Sequence, residues 1–174
     1  MNQKFGKDVS YIQLIKNIKG FHLDTIKAQK SLKVECERRN LDIIIFIRDA
    51  DGIYTDAAKI KKVETWFETL REHCTCKKLL LINIYELEAL IFADIETFNR
   101  LYYTSIKGNR DVKYIKEPKE ELKNATEKGK RKYRESDCPD LFKELRIEIV
   151  GKNCSYFKTF LAEFSGLLDG KNAN

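Results

Sequence analysis

Residues 41–52, LDIIIFIRDADG, constrain this chain more than any other stretch. Five apolar residues, Ile43 to Ile47, run without a helical period, and four of them are β-branched. Such a run reads as a strand buried on both faces, here over 42–48. It ends in Arg48-Asp49-Ala50-Asp51-Gly52. Side chains alternate along a strand, so a strand lasting through Asp51 puts both carboxylates on one side of its end, and Gly52 lets the chain turn away. In an open α/β sheet that edge is where ligands bind. Two hard oxygen donors there suit Mg²⁺, which takes one or two carboxylates and keeps several waters. Asp-Gly after a strand is also ordinary turn chemistry, and an Asp can simply cap the next helix, so the pair alone does not assign a site.

The next two elements bring more acids to the same edge. Thr55 or Asp56 caps a helix over 55–72 with Ile60, Val63, Trp66, Phe67 and Leu70 as its apolar stripe, which makes the single Trp core rather than a binding platform. Residues 78–84 form a second buried strand. Strand, helix and strand at this spacing predict a βαβ unit with parallel strands and a right-handed crossover. Parallel pairing brings Glu86 and Glu88, just beyond the second strand, near Asp49 and Asp51. The segment 85–93, YELEALIFA, enters a short helix; if it is already helical at the acids, the two glutamates cannot face one partner.

Elsewhere the pattern is mostly helical. Tyr11, Ile12, Leu14, Ile15 and Ile18 predict an N-terminal helical face, and 23–39 a second helix starting near Asp24 or Thr25. A further helical stretch spans 95–103. Gly108-Asn109 and dense charge predict a mobile loop over 104–116, and Pro118 starts a lysine-rich helix running towards Tyr133. Ser136 to Pro139 caps a short helix through Leu141, Phe142 and Leu145. The last helix, 155–168, lines Phe157, Phe160, Leu161, Phe164 and Leu168 along one side and is expected to cover the sheet.

At 174 residues the chain suits one domain: an α/β core over 1–103, a basic loop and helix over 104–134, and helices over 135–174 that pack on the core. No membrane span or signal peptide is visible, and five cysteines in no framework pattern point to reduced thiols in the cytoplasm. His73-Cys74-Thr75-Cys76 lacks the second ligand pair of a zinc site. The net charge of +6 is concentrated: residues 107–134 hold eleven of the 33 Lys and Arg and five of the 27 Asp and Glu, so the remainder is neutral. Within that segment Lys107, Arg110, Lys113, Lys128, Lys130, Arg131, Lys132 and Arg134 are candidates for contacts to a nucleic-acid backbone, DNA or RNA, with Tyr103, Tyr114 and Tyr133 available to stack on unpaired bases.

The order of parts resembles a known group. A strand ending in Asp-Ala-Asp-Gly, a helix, a strand running into Glu-Leu-Glu-Ala-Leu-Ile-Phe-Ala-Asp, then Glu117-Pro118-Lys119 and a terminal Cys154-x-x-Phe157-x-x-Phe160-Leu161 helix are similar to bacterial TOPRIM-like proteins of the RloB-like and OLD-nuclease neighbourhood, in a domain-of-unknown-function branch. The resemblance spans roughly Ile43 to Phe164. It implies a TOPRIM-like, Rossmann-like fold: a mostly parallel sheet flanked by helices, with a helical C-terminal part. TOPRIM domains bind Mg²⁺ through an Asp-x-Asp pair, here Asp49 and Asp51, plus a glutamate on an earlier strand. Nothing before Asp49 resembles that glutamate's context. Residues 1–8 read instead as the end of a second strand and the start of a helix, as in an N-terminally shortened or split member.

The resemblance implies one of two functions. One is a Mg²⁺- or Mn²⁺-dependent nuclease of anti-phage or mobile-element defence, with Asp49, Asp51, Glu86 and Glu88 catalytic, the metal on Asp49, Asp51 and Glu88, and no other cofactor. The alternative is an inactive TOPRIM-like adaptor that partners an ATPase or forms a homodimer through an open sheet edge.

Overall fold

The two apolar runs pair as the βαβ spacing predicts. In the computed structural model, which describes residues 9–15, 20–108 and 110–170, β1 (Ile43–Asp49) and β2 (Lys77–Asn83) are parallel neighbours. Their register runs from Ile43 opposite Lys77 to Asp49 opposite Asn83. Helix α1 (Ile26–Arg38) precedes β1, and α2 (Ala57–Arg71) connects the strands. Of the alternative caps, Thr25 and Asp56 are the ones used, their side chains accepting from the N–H groups of Ala28 and Lys59 at 3.3 and 3.2 Å. Each such cap satisfies an N–H that the helix cannot, worth about 1 kcal/mol.

Strand alternation divides the core. Ile44 and Phe46 pack with Leu32 of α1 and with Leu70 and half-buried Trp66 and Phe67 of α2. Phe46 meets Trp66 and Phe67 edge-on, at centroid distances of 6.1 and 5.3 Å. On the other face, Leu79 and Leu81 join a larger cluster built by α3 (Ala89–Ala93), α4 (Ile95–Tyr102), α5 (Pro118–Thr126), α6 (Cys138–Glu144), α7 (Ile147–Asn153) and α8 (Ser155–Leu168). The ALIFA sequence of α3 has no polar side and is buried at every residue. From α8, Phe157, Phe160, Leu161 and Phe164 enter this cluster, each such burial contributing about 1.5–3 kcal/mol. Among the described residues the fold is therefore mixed α/β, with one two-stranded parallel sheet and eight α-helices. None of these helices is long and apolar enough to cross a membrane.

Three expectations need correction, and one helix was not anticipated. Residues 9–15 are not helical; Leu14 and Ile15 pack on the α1–α2 cluster, and the segment lines an apolar groove of about 1080 Å³ along β1, so tertiary contact overrides the 3–4 spacing. Ile18, and the strand and helix start read over 1–8, lie outside the described residues. The lysine-rich helix ends at Thr126, short of Tyr133. There Thr126 Oγ1 accepts from the Tyr133 N–H at 2.9 Å while Tyr133 inserts into the core, which forces the intervening Lys128–Lys132 run into a turn. The 104–116 loop is held at 112–115, where Val112 and Ile115 are buried and the Lys113 carbonyl accepts from the Tyr54 N–H at 3.0 Å. Finally, α7 is a separate helix that the apolar spacing did not separate from its neighbours.

Candidate functional site

The β1–β2 ladder continues beyond the strands. The N–H groups of Ala50, Asp51 and Tyr85 donate to the carbonyls of Asn83, Tyr85 and Gly52 at 2.9, 3.0 and 2.8 Å. To make this reciprocal turn, Asp51 (φ 54°) and Tyr85 (φ 65°) take left-handed conformations. Strand alternation thus stops at Asp49, and the turn, not the pleat, sets where Asp51 lies. Gly52 passes so close to α2 that a Cβ would stand 2.6 Å from Lys59 Cδ, while Lys59 Nζ donates to the Asp51 carbonyl. A third left-handed residue, Glu117 (φ 48°), opens α5 beside the same edge. Such conformations cost on the order of 1–3 kcal/mol each and cluster at functional sites.

Asp49 is half-buried and accepts a hydrogen bond from Asn83 Nδ2 at 2.9 Å. Burial pushes its carboxyl up to about 6; the Asn83 bond opposes this, and the charges of Glu88, Asp51 and Glu86 add to it. The charges of the other three predicted carboxylates thus act on Asp49. Arg48 is chiefly engaged elsewhere: its guanidinium pairs with Asp24 and lies 4.7 Å from the Trp66 ring centroid, on the α1–α2 side, though the Asp51 charge also acts on it. Asn83 is 1% exposed, and its Oδ1 has no partner. The Tyr156 hydroxyl, at the start of α8, is buried too and makes no hydrogen bond of good geometry; burial above all holds it protonated. These are the two buried side-chain oxygens or nitrogens without partners among the described residues. In native interiors such atoms are rare and call for an explanation, such as water or an ion.

Glu86 and Glu88 sit in the turn before α3 and face different partners. Glu86 pairs with Lys119 Nζ at 3.4 Å and also accepts from the Lys119 N–H at 3.4 Å. Glu88 accepts from the Tyr133 hydroxyl at 3.4 Å, and the Cys138 thiol lies 3.8 Å away. Among the described residues, no group of three or more His, Cys, Asp or Glu side chains is arranged to hold a metal ion. The edge offers a pair of aspartates rather than a cage, so a cation held there would complete its coordination with water.

The basic segment divides in two. Arg110 pairs with Glu121, Lys113 with Asp111 at 3.7 Å, and Lys123 with Glu120 and Glu135 at 3.1 and 3.0 Å. Lys128, Lys130, Arg131, Lys132 and Arg134 are exposed and make no ion pair among the described residues, as is true of Lys107. Arg131 is nonetheless anchored, its guanidinium 4.4 Å from the Tyr102 ring centroid. Tyr103 and Tyr114 are exposed, but Tyr133 is 3% exposed and packs edge-on against Phe98 and Tyr102, so it cannot stack on a base.

Sequence reasoning passed over Asn83, Lys119 and Tyr156 as site residues. For Asn83 a signal was present: a polar residue closing an apolar strand opposite Asp49 in parallel register. No match was found among curated proteins or among solved structures. A family model described as a domain of unknown function matches residues 2–165, nearly the whole length, and the chain therefore belongs to the family DUF4276.

Proposed function

We propose that this protein is a divalent-cation-dependent phosphodiesterase of TOPRIM-like type, acting on nucleic acid at the C-terminal edge of β1 and β2. The observation that carries the reading is Asp49, whose carboxyl is raised to about 6 by burial and by three neighbouring carboxylates. Such a cluster is stabilised by a positive charge. The donors are all hard oxygens, which fits Mg²⁺ or Mn²⁺ held through Asp49 and Asp51 with retained waters. The bound ion would supply Lewis-acid polarisation of a phosphoryl oxygen and a more acidic water.

The chain's own residues do the rest. Asn83 fixes the orientation of Asp49 through its amide N–H. Lys119 neutralises Glu86 and adds a cation beside the edge. The exposed 128–134 turn attracts phosphates without reading bases. Wild-type protein should cleave single- or double-stranded DNA or RNA with Mg²⁺ or Mn²⁺ and lose that activity in EDTA. Asp49→Asn and Asp51→Asn should each lower the rate at least about 100-fold, as expected for a group acting in the transition state. Cleavage that survives either substitution would overturn the assignment.

A specific observation favours a second reading. Glu86 is held by Lys119 and Glu88 by Tyr133, so no third carboxylate is free to complete a cage. A protein that binds the cation yet cleaves none of the four substrates would act instead as an adaptor, for example to an ATPase.

A further inference from the structure

At the opposite end of the sheet lies a second cluster of reactive groups. Cys36 Sγ, from the last turn of α1, is 3.2 Å from Cys74 Sγ, in the turn between α2 and β2. Cys76 lies immediately before β2; burial first, and then the neighbouring thiols, raise Cys76 and take Cys74 to about 12. All five cysteines are free thiols. The three do not form a metal-holding group among the described residues, which leaves thiol–thiol chemistry as what this cluster can do.

We propose that Cys36 and Cys74 are a redox modification site that forms a reversible intramolecular disulfide. The sulfurs need approach by only about 1 Å to reach the bonded distance of ~2.05 Å. Both sit in the apolar cluster of α1, α2 and β1, which holds them in place before any bond forms. Cys36 is half-buried and Cys74 is buried, so an external oxidant reaches Cys36 first. With a low-molecular-weight disulfide RSSR as oxidant, the Cys36 thiolate attacks one sulfur, forming a Cys36–SR mixed disulfide and expelling RS⁻. Cys74 then loses its proton and attacks Cys36 Sγ, forming the Sγ–Sγ bond and expelling the second RS⁻. The two electrons lost by the cysteines reduce RSSR, and the two protons end on two RSH. The bond would tie the end of α1 to the α2–β2 turn and close a loop that the unfolded chain must also keep closed.

The test uses the full-length protein and oxidised glutathione, followed by iodoacetamide in denaturant and peptide mapping without reduction. Two of the five thiols should escape alkylation, joined as one Cys36–Cys74 linkage that dithiothreitol reverses, and the oxidised protein should melt at least about 5 °C higher. Cys76→Ser should leave the linkage intact, and Cys36→Ser should abolish it together with the melting shift. Alkylation of all five thiols, a stable glutathione adduct on Cys36, or linkage through Cys76 would overturn the proposal. Because the mapping is made on the wild-type chain, it does not depend on any variant folding.

Discussion

At their N-terminal ends β1 and β2 start beside three thiols and an apolar cluster; at their C-terminal ends the same strands run out into four carboxylates, two left-handed residues and two buried atoms without partners. The first end is accounted for by packing: Phe46, Leu32 and Leu70 fill the space, and the thiols behave as small apolar groups. The second end is not. Like charges are gathered, three of them half-buried, and the backbone turns left-handed among them. Departures from local consistency of this kind are expected at functional sites, which is why the acidic end and not the thiol end carries the functional proposal.

The comparison breaks if the two ends respond alike. The largest effect expected is on turnover, where Asp49→Asn and Asp51→Asn remove cation-dependent cleavage while Cys36→Ser leaves it unchanged; equal loss in a folded Cys36→Ser protein would erase the distinction. A second effect separates the halves of the basic segment. Replacing Lys130, Arg131 and Lys132 with alanine should lower the slope of log affinity against log salt by about 2 to 3, since each phosphate contact contributes about 0.7 to 0.9. Arg110→Ala with Lys113→Ala should change it by less, because those cations already pair with Glu121 and Asp111. Binding isotherms over a salt series decide between them.

The smallest effect is on stability. Asp49 has a folded-state pKa of about 6, above its ordinary 3.8, so its neutral form favours folding. That contribution is fully present below about pH 4 and is lost as pH rises through about 6. Asp49→Asn, which is neutral throughout, should therefore stabilise the cation-free protein by about 2–3 kcal/mol at pH 7, while near pH 4 its stability should match the wild type. Denaturant titrations at the two pH values check this. A variant that destabilises equally at both would show that Asp49 serves packing, as a side chain at the thiol end would.

The two strands and the last helix were legible from apolar spacing alone. The last helix, read over 155–168, is observed as Ser155–Leu168, and both strands fall within one residue of expectation. The parallel pairing that sets Asp49 opposite Asn83 was legible too, since it follows from the βαβ spacing. What spacing could not carry is chain reversal and competition between distant contacts. The left-handed turns at Asp51 and Tyr85 depend on cross-strand hydrogen bonds between residues more than thirty apart. Likewise, the lysine-rich helix stops at Thr126 because burying Tyr133 outweighs continuing a helix of like charges. Nor does any local pattern show that Glu86 faces Lys119 while Glu88 faces Tyr133, since those partners arrive from later parts of the chain.

The central claim, that the acidic edge is poised for a cation, is tested most directly by the carboxyl ¹³C shift of Asp49 followed against pH, with and without Mg²⁺. The account predicts an apparent pKa of about 6 in the absence of divalent ions and a fall of at least about one unit at saturating Mg²⁺, since a bound cation favours the ionised carboxylate. An Asp49 that titrates at its ordinary value, or whose raised pKa does not move with Mg²⁺, would contradict it.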